Sequence, residues 1–335
     1  MRRALGWLFA AVAQVRFAAY RHGVFQRHAL AGPVVSVGNL SVGGSGKTPV
    51  VRRVAEMLRE EDRPVAILSR GYGGRFHGDV LVVSDGEDVL AGAAEAGDEP
   101  VMLARALPGV VVAVGPHRDV VGRAVEARFG RRVHVLDDGF QHLRLRRDLD
   151  IVCLDVRDLD DRPLPAGRLR EGPAALERAH IVLLTRLEVA TEDQLRALET
   201  RLGPERTFRV SRRVVGWRTL EGVDAPAPGR VFLFAGIARP ERFEKDALAS
   251  GATVAGHSFF PDHHRYHGAE IEAIASRARA AGAQALGTTA KDAVRMEGLA
   301  GDASSLPVLV LHVEAAISDE SRFRRQLFEA VGRAA

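Results

Sequence analysis

A glycine-rich segment at residues 34–49 contains the residue types that bind a triphosphate. It reads VVSVGNLSVGGSGKTP, an apolar run followed by glycines and a Gly-Lys-Thr sequence. Glycines allow backbone N–H groups to converge on an anion where a strand ends and a helix begins. We predict a phosphate-binding loop in which Lys47 contacts the β- and γ-phosphates and the Thr48 hydroxyl binds Mg²⁺. The nucleotide-binding residues predicted in this loop are Ser41, Val42, Gly43, Gly44, Ser45, Gly46, Lys47 and Thr48.

The strict phosphate-loop pattern has a further glycine at the position where this chain has Ser41. Gly43, Gly44 and Gly46 still provide a backbone that is free to adopt the loop conformation. An ordinary glycine-rich turn between a strand and a helix is the alternative. The Gly-Lys-Thr ending favours the phosphate-binding interpretation.

Two adjacent carboxylates follow a second apolar run. Residues 133–136 read VHVL and lead into Asp137 and Asp138. Enzymes with a phosphate-binding loop need such an acid to hold the Mg²⁺ that bridges the β- and γ-phosphates. An Asp-Gly turn would explain Asp138 alone, but not a pair of acids after a buried strand. We therefore predict that both residues bind the metal or its water, and that Asp138 is catalytic.

Asp98 lies in the sequence Gly-Asp-Glu-Pro at residues 97–100, immediately before a helical pattern. One role for Asp98 is that of an N-cap, with Pro100 in the first turn of the helix. The same position suits a base that accepts a proton from a hydroxyl near the phosphates. The residue types leave both roles open.

The densest group of histidines lies at residues 259–267, FFPDHHRYH. We predict that one of these histidines is a general acid or base, or contacts a phosphate. A zinc site formed by His263 and His267 is disfavoured, because no cysteine accompanies them and the acid is adjacent. A helix capped by an aspartate, with solvated imidazoles, is the remaining alternative.

A second glycine-rich loop, SRGYGG at residues 69–74, follows the apolar run at 65–68. It leaves a strand at the carboxyl edge of the predicted sheet, where open α/β folds bind ligands. Arg70 could contact a phosphate at this edge. A plain glycine turn is an equally good interpretation.

The elements that position these residues repeat in the order strand, helix, strand, which indicates parallel α/β units. The strands are continuously apolar, as expected for a sheet that is covered on both faces. Strands are predicted at residues 80–83, 110–114, 133–136, 151–154 and 181–184, and helices at 50–60, 101–107 and 119–129. The predicted fold class is α/β: a P-loop NTPase-like parallel sheet with helices on both faces, a smaller C-terminal α/β lobe and an N-terminal amphipathic helix.

Pro, Gly and Asp accumulate at residues 217–228, before a new apolar strand at 231–235. We place a lobe boundary in this region. The expected domains are an N-terminal interfacial helix at 1–28, a P-loop core at 29–215 and a C-terminal α/β lobe at 216–335.

The composition, 46% hydrophobic and 27% charged over 335 residues, is that of a folded soluble protein. The 47 Lys and Arg residues exceed the 43 Asp and Glu residues, and the net charge of +4 favours an anionic partner. We expect no nucleic-acid partner, because the basic residues are dispersed and no aromatic platform for base stacking is visible. The single cysteine, Cys153, lies in an apolar run, which predicts a buried, inert thiol and a reducing cytoplasmic setting.

The N-terminal segment mixes apolar residues with arginines. Its apolar run at residues 4–15 is shorter than the roughly 20 residues that a membrane-spanning helix needs. Apolar residues such as Leu5, Leu8 and Val12 recur at helical spacing, which favours a helix at a membrane surface. A helix packed on the protein's own core and a signal peptide are the alternatives, and the absence of a clear cleavage site disfavours export.

Several of these segments together resemble the tetraacyldisaccharide 4'-kinase family of lipid A biosynthesis. In chain order they are VGNLSVGGSGKTP (37–49), SRGYG (69–73), GDEP (97–100), DDGFQH (137–142), PAGRLRE (165–171), FAGI (234–237) with PERF (240–243), FPDH (260–263) and KDAV (291–294). Several of these strings are ordinary when taken singly, but their combination in this order is specific.

The resemblance implies a membrane-associated kinase of Gram-negative bacteria. It would transfer the γ-phosphoryl group of ATP to the 4'-hydroxyl of a tetraacyl glucosamine disaccharide 1-phosphate, an anionic lipid. Asp98 would act as the base together with His263, and Asp137 and Asp138 would belong to the Mg²⁺ network. The N-terminal helix would lie on the cytoplasmic face of the inner membrane. Contacts with the acceptor are expected from Arg70, Gln141, His142 and Arg168.

A regulatory or assembly ATPase is the rival class. Its phosphate loop would drive a conformational change instead of transfer to a lipid. The histidine-rich segment and the Asp98 loop are less expected in such a protein.

Overall fold

The computed structural model describes residues 2–43, 46–299 and 306–332, and its strands in these ranges form one sheet. The strands are β1 (Val34–Asn39), β2 (Val65–Ser69), β3 (Leu81–Ser84), β4 (Val111–Val114), β5 (Val133–Asp137), β6 (Leu149–Asp155), β7 (Ile181–Thr185), β8 (Thr207–Thr219), β9 (Asp224–Ala225), β10 (Arg230–Ala235), β11 (Thr253–Phe259), β12 (Ala285–Thr289) and β13 (Val308–Ile317). The helices are α1 (Arg2–Arg21), α2 (Lys47–Glu60), α3 (Ala93–Ala96), α4 (Asp98–Ala106), α5 (Arg118–Phe129), α6 (Glu192–Leu202), α7 (Pro240–Ala249), α8 (Gly268–Ala280), α9 (Ala290–Arg295) and α10 (Glu320–Gly332).

The first half of the sheet is parallel except at its edge. Its strand order is β3-β4-β2-β5-β1-β6-β7, and only β3 runs antiparallel to its neighbour. Strand β1 is central and pairs with β5 on one side and β6 on the other. Because parallel strands end at the same edge, the loops after β1, β2 and β5 meet there. This edge carries the predicted phosphate loop and the predicted carboxylates.

Helices cover both faces of this half. Ile67 of β2 packs in a cluster with α2 and α4, whereas its neighbour Leu68 packs in a cluster with α5. Successive residues of a strand point to opposite faces, so both faces are buried, and the strands are apolar throughout. The predicted α/β class, with a mainly parallel sheet between layers of helices, is confirmed.

Strand β8 joins the two halves of the sheet. Its first residues pair in parallel with β7, and the remainder pairs antiparallel with β13. Beyond β13 the parallel strands β12, β10 and β11 complete the second half. The predicted boundary between residues 215 and 216 falls inside β8, and the division into domains remains a prediction.

Helix α1 is longer than the predicted apolar run and leaves several large apolar side chains exposed, among them Trp7, Leu8, Val12 and Val15. Near its start the helix contacts residues 163–166, since a Cβ on Gly6 would lie 3.0 Å from the carbonyl oxygen of Pro163. In the described part of the chain, no helix has the length and apolar character needed to cross a bilayer.

Candidate active site

The phosphate loop begins where β1 ends and closes at the start of α2. Gly43 and Gly46 have φ angles of +100° and +81°, in the left-handed region that glycine adopts at least cost. Lys47 is the first residue of α2, and its Nζ lies 3.1 Å from Asn39 Oδ1. Thr48 follows it in the same turn, partly buried. The predictions for Gly44 and Ser45 concern residues outside the described ranges.

Residues 158–170 form hydrogen bonds with the phosphate loop. Ser41 Oγ donates to Asp158 Oδ2 at 2.9 Å, and Val42 N donates to the Arg168 carbonyl at 2.8 Å. The Arg170 N–H donates in turn to the Leu40 carbonyl at 2.6 Å. Ser41 therefore has a role that glycine at this position could not fill, since its hydroxyl attaches the loop to a buried carboxylate.

The two predicted carboxylates lie at the end of β5 and have different environments. Asp137 is buried, and its Oδ2 accepts a hydrogen bond from Ser69 Oγ at 3.1 Å. Burial, followed by the charge of Glu99, raises the pKa of Asp137 to about 7. Lys47 lowers this pKa by less than those two effects raise it.

Asp138 adopts a left-handed backbone with φ of +54° and faces two cations. Lys47 Nζ lies 3.4 Å from its Oδ1, and Arg170 Nη1 donates to its Oδ2 at 2.7 Å. Burial alone would raise the pKa of Asp138, but Lys47 and Arg170 outweigh it, and the pKa is lowered. The site thus holds one carboxylate ionised and leaves its neighbour to titrate near neutral pH.

Asp98 and His263 are in contact. Asp98 is the first residue of α4, with Gly97 at the N-cap position, and its side chain does not cap the helix. Its Oδ2 lies 3.2 Å from Nδ1 of His263, which has a left-handed backbone with φ of +62°. The capping role considered for Asp98 is therefore not the one observed.

The predicted alternative of a helix capped by an aspartate is not observed. Residue His267, not an aspartate, caps α8, and it exchanges bonds with Glu270. Within residues 2–43, 46–299 and 306–332, no group of three or more His, Cys, Asp or Glu side chains is arranged to hold a metal ion.

Glu99 is adjacent to Asp98 in sequence and acts electrostatically on Asp137 near the phosphate loop. It follows Asp98 in the first turn of α4, and its charge contributes to the raised pKa of Asp137. Lys291 Nζ lies 3.5 Å from Glu99 Oε1. The N-terminal turn of α4 therefore lies between the carboxylates of β5 and His263 of the second half.

Three of the four predicted acceptor contacts are associated with the same edge. Gln141 Nε2 donates to the Asn39 carbonyl at 2.9 Å. Burial and the charge of Arg118 lower the pKa of His142 to about 3, so its imidazole is neutral. Arg70 is exposed and acts electrostatically on Arg118.

Arg118 was not anticipated from the sequence. It is 5% exposed at the start of α5, and its Nε is buried without a hydrogen-bond partner. Its charge is coupled to those of Asp137, Asp138 and Arg70. No local motif surrounds it, so only the assembled sheet edge reveals that it belongs to the site.

Arg168, the fourth predicted contact, faces carboxylates of its own chain. Its Nε donates to Asp161 Oδ2 at 2.7 Å and its Nη2 to Asp158 Oδ1 at 3.2 Å. Arg170, which was not singled out, is the arginine of this segment that reaches Asp138. Whether Arg168 binds the acceptor remains a prediction.

A glycine loop between a central parallel strand and a helix, with its lysine beside a carboxylate of the neighbouring strand, defines a P-loop phosphate-binding protein. The sequence matches the LpxK family, tetraacyldisaccharide-1-P 4'-kinase, over residues 2–332. The chain belongs to this family. The predicted family and enzyme class, a kinase of lipid A biosynthesis, are thereby confirmed.

Individual relatives agree with this assignment. The chain is 41% identical over 308 residues to the tetraacyldisaccharide 4'-kinase of Desulfotalea psychrophila, covering 88% of each protein. It is 44% identical over 318 residues to the enzyme of the same name from Anaeromyxobacter sp. strain K, covering 92% of this chain and 84% of the relative. The crystal structure of LpxK from Aquifex aeolicus in complex with ATP matches with a TM-score of 0.80 and 30% identity, covering 98% of both chains.

Proposed function

We propose that this chain transfers the γ-phosphoryl group of ATP to the 4'-hydroxyl of a tetraacyl glucosamine disaccharide 1-phosphate, with Asp98 as the base. The observation that carries the proposal is the Asp98–His263 contact in the first turn of α4, where the neighbouring Glu99 acts electrostatically on Asp137. Asp98 comes from the first half of the sheet and His263 from the second, and a base is needed where the acceptor meets the phosphates.

ATP fits the loop because Lys47, Gly46 and the N-terminus of α2 present positive charge and N–H groups at one point. The relative from Aquifex aeolicus was crystallised with ATP, which supports the same donor here. The ion pair of Lys47 with Asp138 keeps the ammonium group at the mouth of the loop.

The side chains at this edge fit Mg²⁺. Asp138 Oδ1 is buried and paired with Lys47 at 3.4 Å, beyond a close hydrogen bond, and Asp137 accepts only the Ser69 hydroxyl bond among the described side chains. With the Thr48 hydroxyl, these are the hard oxygen ligands that Mg²⁺ takes beside phosphates. Asp137 and Thr48 would hold the ion, with Asp138 adjacent, and the bound ion would supply neutralisation of phosphate charge.

In the transfer itself, the acceptor oxygen forms a bond to the γ-phosphorus while the bond to the β–γ bridging oxygen breaks, and ADP leaves. Asp98 takes the hydroxyl proton. His263 contacts the same carboxylate and helps to orient it. Arg118, Arg70 and the neutral His142 line the edge from which an anionic acceptor would approach.

The acceptor lipid explains the exposed apolar side chains of α1. Trp7 is 77% exposed, Val15 68% and Leu8 62%. Side chains of this kind enter the interface of a bilayer from a helix lying parallel to it. The proposed location is the cytoplasmic face of the inner membrane, where both ATP and the lipid are accessible.

The transfer is tested by incubating the protein with γ-labelled ATP and the tetraacyl disaccharide 1-phosphate in detergent micelles. We expect label in the lipid, and none with Lys47→Ala. Label that appears only in free phosphate would instead support an ATPase with a regulatory or assembly role.

The base is tested with Asp98→Ala and His263→Ala. We expect each to lower kcat by about 10²- to 10⁴-fold with ATP binding retained, because general-base catalysis contributes that much. His257→Ala is the matched control, since this histidine is exposed on β11 and stacks on Phe259. A near-normal kcat in Asp98→Ala removes it from the chemistry.

A further inference from the structure

Arg295 is the residue around which the contacts of Asp98 and His263 are arranged. Its side chain is 3% exposed, at the end of α9. Its Nε donates to Asp98 Oδ2 at 2.8 Å, and its Nη2 lies 2.7 Å from the same oxygen. Nη2 is also 3.3 Å from His263 Nδ1. One guanidinium group therefore contacts both members of the pair.

The guanidinium is anchored in the second half of the sheet. Its Nη1 donates to the Gly236 carbonyl at 2.6 Å and to Asp292 Oδ1 at 3.2 Å. The Gly236 carbonyl also accepts the His263 N–H at 3.1 Å. The backbone of Gly236 thus fixes the position of Arg295 and of His263 together.

Asp292 is itself held rigidly. It is fully buried and accepts hydrogen bonds from Thr289 Oγ1 at 2.6 Å, from the Gly236 N–H at 2.9 Å and from the Tyr266 hydroxyl at 3.1 Å. A buried carboxylate with this many donors has one orientation. The orientation of Arg295 follows from it.

The donors to Asp98 all reach the same oxygen. Within the described part of the chain, the hydrogen bonds to this carboxylate from Arg295 and His263 end on Oδ2. A planar carboxylate held at one oxygen by a guanidinium has its other oxygen directed away from that contact. Oδ1 is therefore the oxygen that remains for a substrate hydroxyl.

We propose that Arg295 is a positioning residue for the phosphoryl transfer. It holds Oδ2 of Asp98, to which His263 Nδ1 also donates, so that Oδ1 of Asp98 faces the acceptor hydroxyl and takes its proton. Because Asp98 lies on α4 and Arg295 on α9, the base is correctly placed only when the two halves of the sheet are in contact. The inference rests on the proposed role of Asp98 as the base.

The first test compares Arg295→Ala with the parent enzyme in steady-state kinetics. Misplacing a reacting group by about 1 Å can cost about 10²-fold in rate, so we expect kcat to fall by about that factor while the KM for ATP changes by less than about threefold. Added guanidinium ion should restore part of kcat in Arg295→Ala. Arg295→Lys keeps the charge without the planar guanidinium group, so its kcat should lie between those of the parent enzyme and Arg295→Ala.

A matched control separates positioning from loss of stability. Arg206 also donates to backbone carbonyls, those of Leu176, Ala179 and Leu202, but it lies in the first half of the sheet and contacts neither Asp98 nor His263. We expect Arg206→Ala to lower the unfolding midpoint and leave kcat unchanged at a temperature where the variant is folded. A similar loss of kcat in both variants, without rescue by guanidinium, overturns the proposal.

A double variant decides whether Arg295 acts through Asp98. If it does, Asp98→Ala with Arg295→Ala should be no slower than Asp98→Ala alone, because effects of residues that act as a unit do not add. A further loss in the double variant contradicts the proposed route. Normal activity in Asp98→Ala would overturn the proposed base, whereas an inactive Asp98→Ala with a fully active Arg295→Ala overturns only the role of Arg295.

Discussion

The two carboxylates at the end of β5 illustrate how neighbouring residues of one type acquire different properties. Asp138 turns toward Lys47 and Arg170 and stays ionised, whereas Asp137 is buried against Ser69. When one acid of a close pair is fixed as an anion, the proton of the pair is carried by the other. Asp137 is therefore the residue whose charge responds to pH near neutrality and to a bound cation.

Asp137 gives the free enzyme a measurable pH dependence of stability. Its pKa is raised, mainly by burial, from 3.8 to about 7 in the folded protein. Between these values the folded state binds a proton that the unfolded chain has released, so the free energy of unfolding falls as the pH rises through this window. We expect Asp137→Asn to remove this fall, as measured by urea denaturation without nucleotide at about pH 5 and about pH 8.

Asp138→Asn is the matched control for this experiment. The pKa of Asp138 is lowered, because Lys47 and Arg170 together outweigh its burial, so its titration lies below the window. The control should retain most of the pH dependence. An unchanged difference between the two pH values in Asp137→Asn would contradict the assignment.

Arg168 and Arg170 are two residues apart and are expected to behave differently. Arg170 contacts Asp138, so Arg170→Ala should lower kcat with little change in stability. Arg168 is bonded to Asp161 and Asp158, and losing its bonds to carboxylates should lower the free energy of unfolding by about 2 kcal/mol. The measurements are steady-state kinetics with the lipid acceptor and urea denaturation. A raised KM for the acceptor in a stable Arg168→Ala protein would show that Arg168 binds the substrate.

The sequence was informative at this scale where a residue belongs to a local motif. Lys47 follows glycines, Asp137 follows an apolar strand, and Asp98 and His263 lie in short strings that resemble the family. Arg118 and Arg295 could not be found in this way. Each is an arginine at one end of a helix, and its importance depends on groups brought to it by the sheet from distant parts of the chain.

At the scale of elements, α1 combines an attachment to the protein with an apolar surface. Gly6 packs against residues 163–166, while the Arg178 guanidinium lies 5.1 Å from the ring centroid of Phe17. The exposed apolar side chains lie on the rest of the helix. Residues 163–170 also support the phosphate loop, so the helix and the loop share one supporting segment.

Changing exposed residues tests the proposed membrane role of α1 without removing its contacts with the protein. Leu8→Glu with Val12→Glu places two charges among the exposed apolar side chains, which are 62% and 59% exposed. We expect this variant to lose most of its co-sedimentation with anionic lipid vesicles, because a charge in the apolar layer opposes burial. The unfolding midpoint should be unchanged.

The control for α1 places the same charges elsewhere. Val189 and Leu248 are also exposed, at 50% and 54%, but lie outside α1. Val189→Glu with Leu248→Glu should sediment with vesicles as the parent protein does. Equal sedimentation of all three proteins would mean that another surface contacts the membrane.

Strand β8 is one of the elements that the sequence pattern did not predict. Its residues 211–213 are exposed, and two of them are arginines that form ion pairs, Arg212 with Asp246 and Arg213 with Glu314. Apolar runs identify strands buried on both faces, and β8 is not one of them. The proposed lobe boundary lies in its second half because Pro, Gly and Asp accumulate at residues 217–228.

At the scale of the whole molecule, helix α2 is fixed to both halves of the sheet. It begins at Lys47 and packs on the core, while Arg53 Nη2 lies 2.5 Å from Glu320 Oε1 of α10. Arg52 contacts His312 of β13, and Glu60 contacts Arg324 of α10. Through the contact of Arg52 with β13, the helix that carries the phosphate-binding lysine is attached to the half that carries His263 and Arg295.

A sheet shared through β8, together with these ion pairs, predicts that the two halves unfold together. Trp217 is a reporter for the second half, because it is buried and its Nε1 donates to Ser250 Oγ at 2.8 Å. Since the chain has 2 tryptophans, Trp7→Phe leaves Trp217 as the single fluorophore. We expect urea transitions followed by this fluorescence and by far-UV circular dichroism to coincide.

A non-hydrolysable ATP analogue with Mg²⁺ binds the first half, yet it should raise the unfolding midpoint reported by Trp217 by the same amount as the overall midpoint. Two separated transitions, or a Trp217 midpoint that does not respond to nucleotide, would mean that the boundary near residue 215 divides independently stable domains.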